Sequence, residues 1–127
     1  RAVRDALLPL KENESRELFY GIDFHSTNEN IFYPIDEEVK TAPDNITQKW
    51  TEMVQASNPD VTFSIEEFDT SSPIAKNWFY HTFGIDAVTY EVDDGIEKET
   101  LEKISRSAAR SLMELLLQEW QKTAVEN

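Results

Sequence analysis

The stretch Gly21-Ile-Asp-Phe-His25-Ser26 is a largely apolar and aromatic run that stops at one ionisable residue followed by polar residues. A second stretch, Ala87-Val-Thr-Tyr-Glu91-Val-Asp-Asp94-Gly95, has the same layout and reaches a carboxylate before its turn residues. Runs of this composition that end in turn residues are typical of β-strands. Open α/β sheets bind ligands at the carboxyl ends of their strands. The two stretches therefore predict that His25 and Glu91 lie at one edge of a sheet.

The rest of the chain alternates between helical and extended patterns, and its 127 residues fit one domain over 1–127. Three- and four-residue apolar spacing predicts helices over residues 2–10, 46–57, 73–83 and 97–122. Extended patterns predict strands over residues 18–24, 61–68 and 85–92, with a short extended piece over 31–34. This alternation predicts a layered α/β sandwich with a mostly parallel or mixed central sheet and helices on both faces.

Residue patterns also predict where these elements lie. The strand at Leu18–Phe24 is apolar on both faces and is expected in the middle of the sheet, and Ile85–Val92 is expected to be central as well. Val61–Phe68 alternates apolar and polar residues, which suits an edge. Ser72 is the expected cap of a helix that begins at Pro73. The last helix is expected to bury one face, formed by Ile104, Ala108, Leu112, Leu115, Leu116 and Trp120.

The composition excludes several classes of partner and site. The formal net charge of −13 argues against nucleic acid and anionic membranes, which both require concentrated Lys and Arg. No apolar run approaches the roughly 18 to 20 residues that span a bilayer, so we expect a soluble chain. The absence of cysteine excludes disulfides and thiolate metal sites, but it leaves the compartment open, with a secreted or periplasmic location among the alternatives.

Several motifs together resemble one family, the zinc carboxypeptidases of the carboxypeptidase A type. The resemblance covers the chain from about Ala2 to Trp120 and matches the C-terminal half of that catalytic domain. It is carried, in order along the chain, by Asp23-Phe-His25-Ser26, Tyr33-Pro34, Ser72-Pro-Ile-Ala-Lys-Asn-Trp78, Phe83-Gly84-Ile85 and Tyr90-Glu91-Val-Asp-Asp94-Gly95. The sequence departs from the family in lacking a His-x-x-Glu motif, and its only other histidine is His81.

The resemblance implies specific roles for three residues. His25 would be one ligand of a single zinc ion, with two further ligands supplied by an upstream His-x-x-Glu segment of the complete protein. Glu91 would be the catalytic general base. Phe68 falls at a position where the family has a substrate-binding tyrosine, which leaves specificity for a terminal carboxylate open. A metal-binding imidazole needs an acceptor for its second nitrogen, and a backbone carbonyl or a side chain such as Asp23 or Asn28 could serve.

Three functional classes stay open at this stage. The first is a zinc metallocarboxypeptidase that cleaves peptides at the C-terminus, in which this chain alone is inactive. The second is a zinc-dependent deacylase of the aspartoacylase type, which would act on an acylated amino acid. The third is a non-catalytic binding module of the same fold. If the chain lacks its N-terminal half, unpaired strand edges are expected to cause self-association or pairing with that half.

Overall fold

A computed structural model describes residues 1–13, 16–67 and 70–126 of the chain. Its α-helices are α1 (Ala2–Leu7), α2 (Ile46–Ser57), α3 (Ala75–Phe83) and α4 (Lys98–Glu126), with a 3₁₀ turn at Leu8–Glu12 after α1. Its strands are β1 (Gly21–Thr27), β2 (Ile31–Tyr33), β3 (Ser64–Ile65) and β4 (Ala87–Asp93). The fold is a layered α/β sandwich, as the sequence predicts.

The described strands form one mixed sheet in the order β1-β4-β2-β3. β1 runs parallel to β4 over their full lengths, and the register pairs Gly21 with Ala87 and Thr27 with Asp93. β2 is antiparallel to β4 and parallel to β3. The central position of β4 agrees with its low charge and its buried first half, Ala87 to Tyr90.

One face of the sheet is covered by α2 and α4, and the core lies there. The rings of Phe32 and Tyr90 stack at 4.3 Å, and Trp50 of α2 meets both of them edge-on. The buried indole Nε1 of Trp50 donates to the carbonyl oxygen of Ala108 in α4 at 2.9 Å. Because this hydrogen bond crosses between two helices, it fixes α2 against α4 above β4.

The other face carries α3, which lies very close to β1. A Cβ placed on Gly21 would lie 2.7 Å from ring carbons of Phe79 and 3.1 Å from the Cβ of Ala87. Glycine therefore permits the helix to contact the strand directly. Gly84 directly follows α3 and terminates it, with a φ of 69° in the left-handed region that glycine adopts most readily.

A buried carboxylate joins the start of β4 to the start of α2. Asp86 accepts hydrogen bonds from the backbone N–H of Thr47 at 2.7 Å and from its hydroxyl at 3.0 Å. These bonds satisfy a free amide in the first turn of α2. Burial raises the pKa of Asp86 above its ordinary value, and the two bonds from Thr47 oppose that rise. The start of α2 is thus tied to β4, the strand that carries Glu91.

Two expectations about β1 are corrected by the structure, and one about β4 is confirmed. β1 covers Gly21–Thr27, so His25 lies within the strand and not beyond its end, because the ladder to β4 continues through the polar residues. β1 is also an edge strand among the described residues, since β4 is its only neighbour. The predicted strand 85–92 is confirmed, with bounds of Ala87–Asp93.

Other boundaries differ for local reasons. The predicted strand 61–68 is reduced to Ser64–Ile65, because its partner β2 is itself three residues long and is followed by proline. α3 begins at Ala75 after an extended Ile74, so Pro73 is not its first residue and Ser72 does not cap it. Trp120 was expected on the buried face of α4 but is 58% exposed, because α4 buries Ile104, Ala108, Ser111 and Leu115.

The close approach at Gly21 yields a stability prediction. Gly21→Ala should lower the free energy of unfolding by about 1 to 3 kcal/mol, because the new methyl group would clash with the Phe79 ring. Gly95→Ala is the matched control, since its Cβ would meet only the Asp93 carboxylate at 3.3 Å. Urea denaturation of both variants measures the difference. Equal stability of the two variants would contradict the contact between α3 and β1.

The hydroxyl of Tyr90 yields a second stability prediction. It is buried with no hydrogen-bond partner among the described residues, and burial raises the pKa of Tyr90 to about 12. Tyr90→Phe should therefore leave the free energy of unfolding unchanged or raise it by about 1 kcal/mol. Tyr20→Phe should lower it by about 1 kcal/mol, since the Tyr20 hydroxyl is bonded to Thr47 at 2.8 Å. Thermal denaturation of both variants tests the contrast, and a loss in Tyr90→Phe equal to that in Tyr20→Phe would refute it.

Candidate functional site

The pairing of β1 with β4 brings the predicted site residues together. His25 is the register partner of Glu91, and Asp23 is the partner of Thr89. Paired residues on neighbouring parallel strands face the same side of a sheet, here the side that carries α3. A pocket of about 440 Å³ lies on this side and is lined by Asp23, His25, Tyr33, Ile74, Ala75, Thr89 and Glu91. The two residues that sequence motifs single out therefore share one pocket.

His25 is held by a neighbouring carboxylate. Its Nε2 lies 2.9 Å from Oδ2 of Asp23, with the two side chains 54% and 29% exposed. An ionised carboxylate only accepts hydrogen bonds, so Nε2 donates the proton and Nδ1 of the neutral ring keeps its lone pair. Of the two candidate side chains, Asp23 makes this contact, whereas the Asn28 amide oxygen accepts from the Thr27 hydroxyl. The imidazole is thereby fixed with one nitrogen available to a ligand.

The remaining pocket wall comes from elements whose roles the sequence motifs did not reveal. Thr89 lies two residues before Glu91 on the same face of β4, and Tyr33 of β2 is its antiparallel partner. Ile74 and Ala75 at the start of α3 complete the wall. The period-two alternation along β4 was the signal for Thr89. Tyr33 lies in one of the motifs that carry the family resemblance, but its place in the pocket wall follows only from the pairing of β2 with β4.

A buried lysine holds the β2 side of the pocket against α3. The Nζ of Lys76 donates to the carbonyl oxygen of Pro34 at 2.7 Å, and Lys76 is fully buried. Pro34 directly follows Tyr33, the last residue of β2. This bond therefore ties the segment that carries Tyr33 to the helix that forms the opposite wall.

The pocket has an acidic environment. Its ionisable lining consists of the carboxylates Asp23 and Glu91, the imidazole of His25 and the phenol of Tyr33. The pKa of Tyr33 is raised, first by burial and then by the negative charges of Glu66 and Glu91, because these charges oppose formation of the phenolate. The charge of Glu91 on β4 therefore acts on Tyr33, which lies in the β2 wall of the pocket.

The described residues do not form a complete metal centre. Within ranges 1–13, 16–67 and 70–126, no group of three or more His, Cys, Asp or Glu side chains is placed to hold a metal ion. Catalytic zinc sites use three protein ligands and an open position. His81 lies apart on α3, where its Nε2 donates to the carbonyl oxygen of Thr70 at 3.0 Å. Phe68, the predicted substrate-binding position, lies outside the described residues.

The groups in this pocket suit hydrolytic chemistry. An oriented imidazole with a free nitrogen can bind a metal ion or accept a hydrogen bond. A half-buried carboxylate on the next strand can take a proton from water and return it to a leaving group. The apolar side chains at the start of α3 provide a surface for the body of a substrate.

Comparisons of the chain with models of protein families, with curated proteins and with solved structures found no match. In the part of the chain that the structure describes, no helix combines the length and apolar character required to cross a bilayer.

The influence of Glu91 on Tyr33 can be measured directly. Glu91→Gln removes one of the negative charges that raise the pKa of Tyr33, so that pKa should fall towards its ordinary value of 10.0. Glu102→Gln, on the exposed surface of α4, is the matched control and should leave it unchanged. The titration is followed by the ¹³Cζ chemical shift of Tyr33 in labelled protein. An identical Tyr33 titration in both variants would show that Glu91 does not face this pocket.

Proposed function

We propose that this chain forms part of the catalytic domain of a zinc-dependent metallocarboxypeptidase, which hydrolyses peptides at the C-terminus. In the complete protein, His25 would serve as one zinc ligand and Glu91 as the general base. The observation that supports this most strongly is the register of β1 and β4, which sets His25 opposite Glu91 in one pocket. The motifs that suggested the family lie on two separate strands, and their side chains converge.

The donor chemistry fits one ligand of a zinc site. His25 presents a free Nδ1 while its Nε2 donates to Asp23, and most metal-binding histidines likewise donate their other ring N–H to a carboxylate, a carbonyl or water. The other ligands would come from outside this sequence, since the described residues do not complete a set of three. When bound, zinc would supply Lewis acidity that polarises a scissile carbonyl.

The chain's own residues would carry the proton transfers. The Glu91 carboxylate would take a proton from the attacking water, while its pairing with β1 and β2 holds it at the pocket. Protonated Glu91 would then give that proton to the nitrogen of the leaving amine, so that one residue acts as base and acid in turn. Asp23 would act as a positioning residue that fixes the orientation of the imidazole. Ile74, Ala75 and Tyr33 would contact the substrate.

The test uses the complete protein that carries this chain, with zinc content measured by mass spectrometry and hydrolysis measured on a peptide with a free C-terminus. We expect about one zinc ion per chain. Glu91→Gln should retain zinc but lower kcat/KM by about 10² to 10⁴-fold, the range typical of a lost general base. His25→Ala should lower both zinc content and activity, because it removes a ligand.

His81→Ala and Glu102→Gln are the matched controls, since both residues are exposed and lie outside the pocket. Both should keep zinc and activity. Wild-type protein without zinc, or a fully active Glu91→Gln variant, would refute the proposal. Hydrolysis of an N-acetylated amino acid in place of the peptide would assign the site to a deacylase instead.

A further inference from the structure

Among the described residues, β1 pairs with a strand on one side only, that of β4. Gly21 donates its N–H to Asp86 and Thr27 accepts from Asp94, so residues 21, 23, 25 and 27 direct their backbone groups towards β4. The alternate residues Ile22, Phe24 and Ser26 therefore direct their N–H and C=O groups away from the sheet. No described strand pairs with this edge. An edge of this kind is a template for another strand.

The sequence of β1 is complementary to itself when it is reversed about Phe24. An antiparallel copy centred on Phe24 sets Phe24 opposite Phe24, Asp23 opposite His25 and Ile22 opposite Ser26. Within one chain His25 Nε2 already lies 2.9 Å from Asp23 Oδ2. In this register a protonated imidazole is also a favourable neighbour for the Asp23 carboxylate of the opposite strand. The two copies of Phe24 form an aromatic cross-strand pair. Charge and apolar character therefore match in a single register.

The same register also matches the backbone groups. In an antiparallel ladder, pairs that exchange two hydrogen bonds alternate with pairs that exchange none. The outward-facing residues Phe24, Ile22 and Ser26 fall at the hydrogen-bonded pairs. Asp23 and His25, whose backbone groups are already bonded to β4, fall at the non-hydrogen-bonded pair, where side chains approach more closely. A register shifted by one residue loses both matches.

We propose that β1 pairs with the β1 strand of a second copy of this chain, antiparallel and centred on Phe24, to form a twofold dimer with a continuous sheet. A symmetric interface of this kind needs one self-complementary patch, which β1 provides. The proposal does not rest on the proposed function, although Asp23 and His25 take part in both.

Apolar surface beside the edge favours the same contact. Phe24 is 64% exposed, although it lies on the face of the sheet that α4 covers. Its neighbour Ile22 is partly buried and packs against the core cluster, as do Leu112 and Leu116 of α4. A second copy would cover the Phe24 ring, which a monomer leaves in water.

Long-range charge opposes the contact and gives it a recognisable salt dependence. Each copy carries a formal net charge of −13, so two copies repel each other at low ionic strength. Salt screens this repulsion, and the Debye length falls from about 30 Å at 0.01 M to about 8 Å at 0.15 M. The dimer should therefore form more readily as salt is added over this range.

Sedimentation velocity of the chain at about 10 to 100 μM tests the proposal, at protein concentrations where weak homodimers populate. We expect a species of twice the 14.7 kDa chain mass, more abundant at the higher salt. Ser26→Pro should weaken dimerisation at least about tenfold, because it removes an outward N–H but no hydrogen bond to β4. Ser26→Ala keeps that N–H and is the matched control.

A cross-linking experiment tests the register even if Ser26→Pro fails to fold. The natural chain has no cysteine, so Phe24→Cys and Ser26→Cys each introduce a single thiol. In the proposed register the two Cα atoms at position 24 lie about 5.5 Å apart, within disulfide range. Those at position 26 lie four residues apart along the ladder, about 14 Å at about 3.4 Å per residue. Oxidation should therefore link Phe24→Cys into a covalent dimer and leave Ser26→Cys without a disulfide between copies.

Three results would overturn the proposal. The first is a wild-type chain that stays monomeric at about 100 μM, a concentration at which even a weak specific dimer is partly populated. The second is a broad series of larger oligomers in place of a dimer. The third is equal cross-linking of Phe24→Cys and Ser26→Cys, which would place a different register or surface at the contact.

Discussion

The parallel pairing of β1 with β4 is the constraint on which the rest of this structure depends. It sets Gly21 beside Ala87, Asp23 beside Thr89 and His25 beside Glu91. Because side chains alternate along a strand, a slip of one residue would turn either His25 or Glu91 to the opposite face. The proposed chemistry and the proposed dimer both use this register. The proposed chemistry uses His25 and Glu91 on the face of the sheet that carries α3. The proposed dimer uses the backbone groups of β1 that do not bond to β4.

Packing on both faces of the sheet maintains that register. On one face, Tyr90 of β4 is enclosed by Phe32 and Trp50, so the strand that carries Glu91 has little freedom to shift. On the other face, the absence of a side chain at Gly21 admits the ring of Phe79, which sets the distance of α3 from β1. Asp86 ties the start of β4 to α2. The elements that form the pocket, β1, β4 and α3, are thus each held in place by contacts outside the pocket as well.

The sequence was sufficient to predict the layered fold and the elements that have strong periodic patterns. α2, α4 and β4 follow their apolar spacing closely, and Trp50 of α2 lies in the core. Position within the sheet was harder to predict. β1 is apolar enough for a central strand, but among the described residues β4 is its only neighbour, because side-chain character does not fix the number of neighbouring strands. Trp120 follows the helical period of α4 but lies away from the core, where the Phe19 ring meets it edge-on at 6.3 Å. The pocket wall at Tyr33 and Ile74 could not be predicted, since it arises from tertiary contacts between elements distant in sequence.

The most direct test of the β1–β4 register is a disulfide between its two key positions. The natural chain has no cysteine, so His25→Cys combined with Glu91→Cys gives one pair of thiols. Cα atoms of paired residues on neighbouring strands lie about 5 Å apart, which a disulfide spans. Oxidation of dilute protein should close this pair within one chain and leave His25→Cys with Val92→Cys open, because Val92 faces the other side of the sheet. Closure of the second pair and not the first would contradict the register and the site built on it.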